Sequence, residues 1–269
     1  MSIRARIIND SPHSAAFNMA ADLHLLATCE NGRAVLVRIY TWENPSITLG
    51  IAEKPDGTLD MAALEKHGTE WIRRPTGGRS VLHDHDVTYS CIFSSGIPGT
   101  GATLMETYRI ISGCLIAGLK YAGINCSSHN SSYGGPLKSG VKLPCFLSPN
   151  RHEIMVNGKK LVGSAQKRTA HAVLQHGSIP LSPAFRGLPD FLLIDEKERE
   201  AQKKLLVQKC TCISEIVPEI KEQELRECLV KGFREALPGK SVLSNWTNDE
   251  IGAITRIAKS DEFINKWQK

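Results

Sequence analysis

The chain has 269 residues, of which 41% are hydrophobic and 23% charged, so it can form one large domain or a domain with an appendage. Its 33 basic and 28 acidic residues leave a net charge of +5, which is too small an excess to indicate nucleic-acid binding. The N-terminus lacks the apolar core of a signal peptide, and no apolar run approaches the roughly 20 residues of a membrane span. The sequence therefore predicts a cytoplasmic protein that binds neither nucleic acid nor membrane.

The first half of the chain is predicted to alternate between helices and strands. A helix over 14–30 is expected to begin at Ser14 and to end before Asn31 and Gly32, because the apolar residues between them keep helical spacing. Two further helices are predicted at 60–67 and 103–122, and strands at 34–40, 46–49, 70–73, 80–82 and 87–93.

Residues 126–151 differ from the segments around them. They are rich in Ser, Gly, Pro and Asn and show no apolar periodicity, which predicts a long surface loop. Cys145, one of eight cysteines, lies in this segment. The cysteines form no C-x-x-C pair and no metal-binding pattern, so most are expected to be buried thiols in a reducing compartment.

A β-hairpin is predicted next, with strands at 152–156 and 159–166 joined by a type I′ turn at Asn157-Gly158. This turn places Met155 opposite Lys160 and Ile154 opposite Leu161. A lysine among apolar neighbours is either an edge residue whose ammonium reaches solvent or a partly desolvated functional group, and the pattern alone favours the first.

The remainder of the chain divides near residue 190. A strand is predicted at 172–181, and charged helical segments follow at 195–208, 221–236 and 247–259. We therefore predict a catalytic core over 1–190 and a helical C-terminal extension over 191–269. Because strands mostly follow strands, the fold class is α/β (α+β), with a mixed, largely antiparallel sheet flanked by helices.

Two segments combine glycine with polar residues. From Arg73 to Asp84 the chain reads RRPTGGRSVLHD, in which Gly77-Gly78 would let backbone N–H groups approach a ligand and the arginines would supply donors. An ordinary surface turn explains this pattern equally well. In LQHGSI, the His176-Gly177 pair predicts a bulge beside a site, although a lone histidine is more often structural.

The run His83-Asp84-His85-Asp86 resembles a metal site at first. On a strand, however, residues 83 and 85 would face one way and residues 84 and 86 the other. No third cluster of ligands completes a set, so we predict no metal site.

These segments together resemble the biotin/lipoate protein ligase superfamily. The similar motifs are NMAAD at 18–22, RRPTGGRSVLHD, NGKKLVGSAQKR and LQHGSI, and they extend from about residue 14 to 182. The resemblance implies the catalytic-domain fold of that superfamily. Arg79, where the ATP-dependent ligases typically carry a third glycine, and Cys145, fifteen residues before Lys160, are similar to the LipM-type octanoyltransferase branch. Glu53 departs from the Gly-x-x-Gln pattern that the family often shows after its second strand.

The resemblance implies a function in lipoate biosynthesis without a cofactor. The enzyme would move an octanoyl group from octanoyl-acyl carrier protein to a lysine of a lipoyl domain, such as the glycine cleavage H protein. Cys145 would carry the acyl group as a thioester, Lys160 would stabilise its thiolate, and the protein would act as a monomer. The motifs indicate as substrate-binding residues Arg73, Arg74, Thr76, Gly77, Gly78, His83, Gly163, Ser164, Ala165, Gln166, His176 and Gly177.

Two alternatives stay open at this stage. An ATP-dependent lipoate–protein ligase would need ATP and Mg²⁺ and would use Lys160 to bind an acyl-adenylate, with Cys145 incidental. A non-catalytic relative would bind lipoyl domains or acyl carriers without transferring a group.

Overall fold

A computed structural model describes residues 4–129 and 153–268 of the chain. The helices are α1 (Ala15–Asn31), α2 (Met61–His67), α3 (Leu104–Tyr121), α4 (Glu196–Lys209), α5 (Glu222–Ala236), α6 (Asn248–Ala258) and α7 (Asp261–Trp267). The strands are β1 (Ala5–Asn9), β2 (Val35–Tyr40), β3 (Ser46–Leu49), β4 (Glu70–Arg73), β5 (Val81–His83), β6 (Asp86–Ser94), β7 (Ser127–His129), β8 (Glu153–Val156), β9 (Lys159–Arg168), β10 (Ala172–Pro180) and β11 (Ser241–Ser244).

Helix boundaries follow the capping signals of the sequence. Ser14, Asp60 and Thr103 each accept a hydrogen bond from a backbone N–H of the first turn that follows them. Thr103 forms a reciprocal capping box with Glu106. These contacts satisfy N–H groups that a helix leaves unpaired, which is why the predicted helix starts are confirmed to within a residue.

Eight strands form the main sheet in the order β11-β1-β2-β6-β10-β9-β8-β7. The pairs β11–β1 and β1–β2 are parallel, whereas every pair from β2 to β7 is antiparallel. A second, three-stranded sheet has the order β4-β3-β5. The predicted mixed, largely antiparallel sheet flanked by helices is therefore confirmed.

Both faces of the main sheet are covered by helices. Val37 and Ile39 of β2 pack with α3 and α5 on one face, while Leu36 packs with Leu25 of α1 on the other. Every residue of β2 is buried for this reason. Helix α1 also contacts β4 of the small sheet, so it connects the two sheets.

The C-terminal part of the chain is largely helical, as predicted, but it also adds a strand. β11 pairs with β1 in a parallel register that begins at Ala5 and Ser241. Trp246 donates a hydrogen bond to Asp10, and Arg6 pairs with Glu250. Strands β1 and β11 and helix α7 were not predicted from the sequence, and the boundary near residue 190 stays a prediction.

The predicted hairpin is confirmed, with one correction to its register. Asn157 and Gly158 have φ values of 49° and 77°, as a type I′ turn requires, and Met155 lies opposite Lys160. Ile154 pairs with Val162 rather than with Leu161, because a β-bulge interrupts the register between Ile154 and Met155.

The segment predicted to be a long loop begins differently from the expectation. Residues 127–129 form β7, which pairs with β8, so that part of the prediction is wrong. Cys145 and most of the predicted loop lie outside the described residues. Within residues 4–129 and 153–268, no helix combines the length and the apolar character needed to cross a membrane.

Candidate active site

A pocket opens between the main sheet and the small sheet. Helix α1, strands β2, β3, β5, β6, β9 and β10, and the segments that follow β2 and β4 contribute to its walls. Its described lining residues are Met19, Tyr40, Trp42, Thr48, Arg74, Val81, His83, Thr88, Gly163, Ser164, Ala165, His176, Gly177 and Ser178. The pocket therefore brings together residues of four motifs that lie far apart in the sequence.

Strands β9 and β10 approach each other closely at the pocket. A Cβ atom on Gly177 would lie 2.3 Å from the carbonyl oxygen of Gly163, so only glycine fits there. The β10 register is regular through His176 and Gly177 against both β6 and β9. The predicted bulge at His176-Gly177 is therefore wrong, and the glycine serves close strand packing instead.

Ser164 is the one hydroxyl-bearing residue of the 163–165 run. Its Oγ lies 2.7 Å from the hydroxyl of Tyr89, which also accepts a hydrogen bond from Gln175. Gln166, another predicted substrate-binding residue, donates to Gln175 and is not among the residues that line the pocket. Ser164 thus lines the pocket, whereas Gln166 contacts Gln175 outside the pocket lining.

The turn at Gly77-Gly78, called here the glycine turn, packs on the loop that follows β3. Gly78 has a φ of 96°, and a Cβ atom on Gly50 would lie 2.1 Å from the Gly78 carbonyl oxygen. Glu53 accepts hydrogen bonds from the Gly50 N–H and from the Ser80 hydroxyl. Glu53 therefore fixes the two loops against each other, a role that its sequence position alone did not indicate.

Arg74 is buried and fully engaged within the protein. Its Nε donates to the Thr76 hydroxyl at 3.2 Å, and Nη1 donates to the carbonyl and the hydroxyl of Thr48 at 3.0 and 3.3 Å. Nη2 donates to the carbonyls of Gly77 and Arg79, both at 2.8 Å. A guanidinium has five N–H donors, and all five are used here. A phosphate could bind Arg74 only by displacing one of these contacts.

Arg73 points away from the pocket. Its Nη1 donates to the carbonyl oxygen of Lys266 in α7 at 3.1 Å, and Arg73 is not among the pocket-lining residues. The two adjacent arginines of the motif thus have different surroundings, because successive side chains of an extended segment point in opposite directions.

His83 and Asp86 lie close together, contrary to the expectation that they face opposite ways. The chain turns at residues 84 and 85, where His85 has a φ of 52°, and this turn breaks the strand alternation. His83 Nδ1 lies 2.8 Å from Asp86 Oδ2, and its Nε2 lies 3.0 Å from the Thr48 hydroxyl. Trp42 stacks on the imidazole with ring centroids 4.1 Å apart. In the described ranges, no three His, Cys, Asp or Glu residues are arranged to hold a metal ion.

His176 has a similar set of contacts. Its Nδ1 lies 2.9 Å from Asp22 Oδ2, and its Nε2 lies 2.6 Å from the Thr76 hydroxyl. Burial lowers the pKa of His176, and this effect outweighs the attraction of Asp22 for a proton. Asp22 was not selected as a site residue from the sequence, although it closes the NMAAD motif.

Lys160 does not extend to solvent, so the interpretation that the pattern favoured is wrong. Its side chain is only 4% exposed, and Nζ lies 2.7 Å from Glu153 Oε1. The carbonyl of Lys160 accepts a hydrogen bond from the backbone N–H of Thr211, in the segment that follows α4. This distant segment covers the strand at Lys160, which local periodicity could not reveal. Lys160 does not itself line the pocket.

Four of the described cysteines are poor candidates for a thiolate nucleophile. Burial raises the pKa of Cys29, Cys114 and Cys210 to about 12 and that of Cys126 to about 11. Cys210 keeps this high pKa although the nearby Lys160 ammonium opposes it.

Solved structures of lipoate protein ligases share the fold. A bipartite lipoate protein ligase of Thermoplasma acidophilum superimposes with a TM-score of 0.77 and 19% identity, over 97% of this chain and 96% of that one. A lipoate-protein ligase A bound with ATP gives a TM-score of 0.75 and 19% identity, over 97% and 98% of the two chains.

Curated relatives match along nearly the whole chain. The protein named Octanoyltransferase LipM of Carboxydothermus hydrogenoformans is 36% identical over 97% of both chains. Its namesake in Anoxybacillus flavithermus is 33% identical over 97% of this chain and 96% of its own. The profile of the lipoyl protein ligase A/B catalytic domain matches residues 14–234. The resemblance of the motifs is thus confirmed, and the chain belongs to the lipoyl protein ligase A/B catalytic domain family.

Proposed function

We propose that this protein is an octanoyltransferase of lipoate biosynthesis. It moves an octanoyl group from octanoyl-acyl carrier protein to a lysine of a lipoyl domain, such as that of the glycine cleavage H protein. The observation that carries this proposal is the similarity, over nearly the full length of both chains, to relatives named Octanoyltransferase LipM. The fold alone does not distinguish transfer from ligation, because ligases share it.

The proposed reaction has two acyl transfers. The Cys145 thiolate attacks the carbonyl carbon of the carrier thioester, the carbon–sulfur bond to the carrier breaks, and the carrier leaves as a thiolate that takes up a proton. The neutral amine of the acceptor lysine then attacks the Cys145 thioester. An amide forms, Cys145 leaves as thiolate, and the amine nitrogen loses a proton. The first step exchanges one thioester for another and the second forms a more stable amide, so no ATP is needed.

Lys160 is the proposed source of positive charge for the Cys145 thiolate. A cysteine with the usual pKa of about 8.5 is only a few per cent ionised at neutral pH, and each unit of lowering is equivalent to about 1.4 kcal/mol. The ammonium of Lys160 is almost fully shielded from water, which strengthens its effect on a nearby charge. The raised pKa values of Cys29, Cys114, Cys126 and Cys210 support assigning the nucleophile to Cys145.

The pocket between the sheets is the proposed site of the acyl chain. Met19, Tyr40, Trp42 and Val81 supply apolar surface, while the glycines of β9 and β10 leave room beside the backbone. Among the candidate substrate-binding residues, Arg74, His83, His176, Gly177 and residues 163–165 form its wall. Thr76, Gly77 and Gly78 support that wall, and backbone amides near 77–78 or 164–165 are proposed to hold the thioester oxygen.

The test is a single incubation with octanoyl-acyl carrier protein, followed by measurement of the intact mass of the enzyme. Wild-type protein is expected to gain one octanoyl group that hydroxylamine removes, and Cys145→Ala is expected to gain none. Labelling of Cys145→Ala would exclude the proposed nucleophile. Modification of a lipoyl domain only in the presence of ATP, Mg²⁺ and free octanoate or lipoate would instead identify a ligase.

A further inference from the structure

Two chains of hydrogen bonds with the same order of residue types meet at Arg74. In the first, Asp22 contacts His176 Nδ1, and His176 Nε2 contacts the Thr76 hydroxyl, which accepts from Arg74 Nε. In the second, Asp86, His83 and Thr48 take the corresponding places, and the Thr48 hydroxyl accepts from Arg74 Nη1. We call these the Asp22 relay and the Asp86 relay.

The direction of the hydrogen bonds in both relays follows from their two ends, Arg74 and the carboxylate. A guanidinium only donates, so the hydroxyls of Thr76 and Thr48 accept from it, and each keeps one hydrogen of its own to donate. An ionised carboxylate only accepts, so in a neutral imidazole the nitrogen that faces the hydroxyl, Nε2, accepts that hydrogen. The remaining nitrogen, Nδ1, carries the hydrogen and donates it to the carboxylate. Both histidines are thereby set as neutral Nδ1–H tautomers.

Protonation of His176 would disrupt this order. A hydrogen on Nε2 would point at the Thr76 hydroxyl oxygen 2.6 Å away, and the Thr76 hydrogen would lose its acceptor. Burial lowers the pKa of His176, as does the nearby charge of Arg74, against the opposing attraction of Asp22. Tyr40 also donates to Asp22, and Arg38 Nη1 lies 3.8 Å from its other oxygen. The surroundings thus favour the neutral imidazole that the relay requires.

We propose that Asp22 is a positioning residue that fixes the tautomer of His176 and, through Thr76 and Arg74, the wall of the pocket. The Asp86 relay acts in the same way on His83 from the opposite side of Arg74. With both relays in place, the polar side chains of the relays and of Arg74 form hydrogen bonds with one another. The pocket surface that a ligand contacts is then mainly apolar, which suits a hydrocarbon chain. The consequence for octanoyl transfer rests on the proposed function, whereas the tautomer assignment does not.

The tautomers can be measured without any substrate. Long-range ¹H–¹⁵N spectra of protein labelled in its nine histidine rings distinguish Nδ1–H, Nε2–H and imidazolium forms, and His83→Gln and His176→Gln identify the two signals. Both residues are expected as Nδ1–H tautomers near pH 7.5. An Nε2–H or imidazolium form at either position would overturn the proposal.

Asp22→Asn tests the role of Asp22 with almost no change of shape. The amide oxygen is expected to turn toward the Arg38 guanidinium, which places the amide N–H₂ against His176 Nδ1 and forces the Nε2–H tautomer. Asp86→Asn is the matched control. Its amide oxygen can keep accepting from Thr88, Ser178 and His83 at the Oδ2 position, so His83 should stay Nδ1–H. An unchanged His176 tautomer in Asp22→Asn would overturn the assignment to Asp22.

The rate of octanoyl transfer gives the second readout. Asp22→Asn is expected to lower kcat about tenfold, the equivalent of one misdirected hydrogen bond, and Thr76→Val should reproduce this loss. Thr76→Ser keeps the hydroxyl and should recover most of it. A changed tautomer with an unchanged kcat would overturn the positioning role. If wild-type protein transfers nothing while both tautomers are as expected, the proposed function fails and the relays stand.

Discussion

The pocket and the Lys160 region hold their charged groups in opposite ways. In the pocket, the cation of Arg74 is held by five hydrogen bonds to carbonyls and hydroxyls, and the two carboxylates bind histidines instead of the cation. At Lys160, a buried ammonium faces a carboxylate directly at 2.7 Å. The first arrangement makes a rigid wall for an apolar chain. In the second, a proton transfer between Lys160 and its carboxylate, or a rotation of either side chain, changes which group the ammonium stabilises.

The largest expected effect follows from removing the charge at Lys160. Lys160→Met should slow acylation of the enzyme by octanoyl-acyl carrier protein about a hundredfold, because two units of thiolate pKa are equivalent to about 2.7 kcal/mol. Single-turnover mass spectrometry measures this rate. Lys159→Met is the matched control, since Lys159 directly precedes Lys160 in β9 and its Nζ donates to the Val207 carbonyl at an exposed site.

The same experiment shows whether the contrast between the two regions holds. Lys159→Met should acylate at nearly the wild-type rate. If both lysine variants lose activity equally, or if Lys160→Met acylates normally, Lys160 is not the activating charge. Thermal unfolding must be recorded in parallel, because the contact between Glu153 and the Lys160 ammonium is lost in Lys160→Met.

A loss of stability of similar free energy is expected from replacing Arg74. Arg74→Lys keeps the charge but offers at most three donors, so at least two carbonyl or hydroxyl groups lose the hydrogen bond from position 74. We expect a loss of about 3 kcal/mol in the free energy of unfolding, measured in urea, because hydrogen bonds to charged groups contribute about 1.5–3 kcal/mol each.

Arg73→Lys provides the comparison for Arg74. Arg73 lies on the neighbouring position and donates to Lys266 in α7 at an exposed site, so its replacement should cost less than about 1 kcal/mol. Equal losses for the two variants would show that the glycine turn does not depend on the Arg74 contacts.

The sequence predicted local features of the site well and its long-range contacts poorly. The type I′ turn follows from two residues, Asn157 and Gly158, and it placed Lys160 opposite Met155 correctly. The burial of Lys160 depends instead on the backbone near Thr211, about fifty residues later, and no local pattern carries that information. The contact between Asp22 and His176 joins residues 154 positions apart, so NMAAD could be recognised as a motif before its partner was known.

Backbone geometry was equally hard to anticipate. The turn at His85 brings His83 and Asp86 together, although strand alternation separates them, and His85 is not a residue type that signals positive φ as glycine does. The bulge beside Ile154 likewise changes a pairing without a glycine to mark it. Cys145, the central residue of the proposed mechanism, lies outside the described residues, and its role stays a prediction, as do the cytoplasmic location and the monomeric state.

A smaller effect is expected where the glycine turn meets the loop after β3. A methyl group at position 50 would lie 2.1 Å from the Gly78 carbonyl, so Gly50→Ala forces the two loops apart. We expect a loss of about 1–3 kcal/mol in the free energy of unfolding, as for other overpacked sites. Gly57→Ala is the control, because nothing lies within 4 Å of the added methyl group there. A neutral Gly50→Ala would mean that the Arg74 contacts tolerate a displaced turn.

The smallest expected effect is the contribution of His176 to the pH dependence of the free energy of unfolding. Burial lowers the pKa of His176, so below the unfolded value of 6.5 the unfolded chain binds a proton that the folded chain does not. Stability should therefore fall as the pH is lowered through that range, by at most about 1.4 kcal/mol per pH unit for one proton. His176→Gln removes the group and should remove its part of the slope in urea unfolding between pH 8 and pH 5.

The difference between wild type and His176→Gln isolates this residue from other titrating groups. His24 has a pKa that burial also lowers, and it contributes a slope of the same sign to both proteins. The carboxyl groups of Asp10 and Glu250 have lowered pKa values as well, and their contribution appears only near and below the unfolded values of 3.8 and 4.5. If His176→Gln kept the full slope, His176 would take up a proton in the folded protein over the same pH range as in the unfolded chain, and below pH 6.5 the Thr76 hydroxyl would be accepting from the imidazole as well as from Arg74. The pocket wall would then contain a second cation, and the contrast with the Lys160 region would no longer hold.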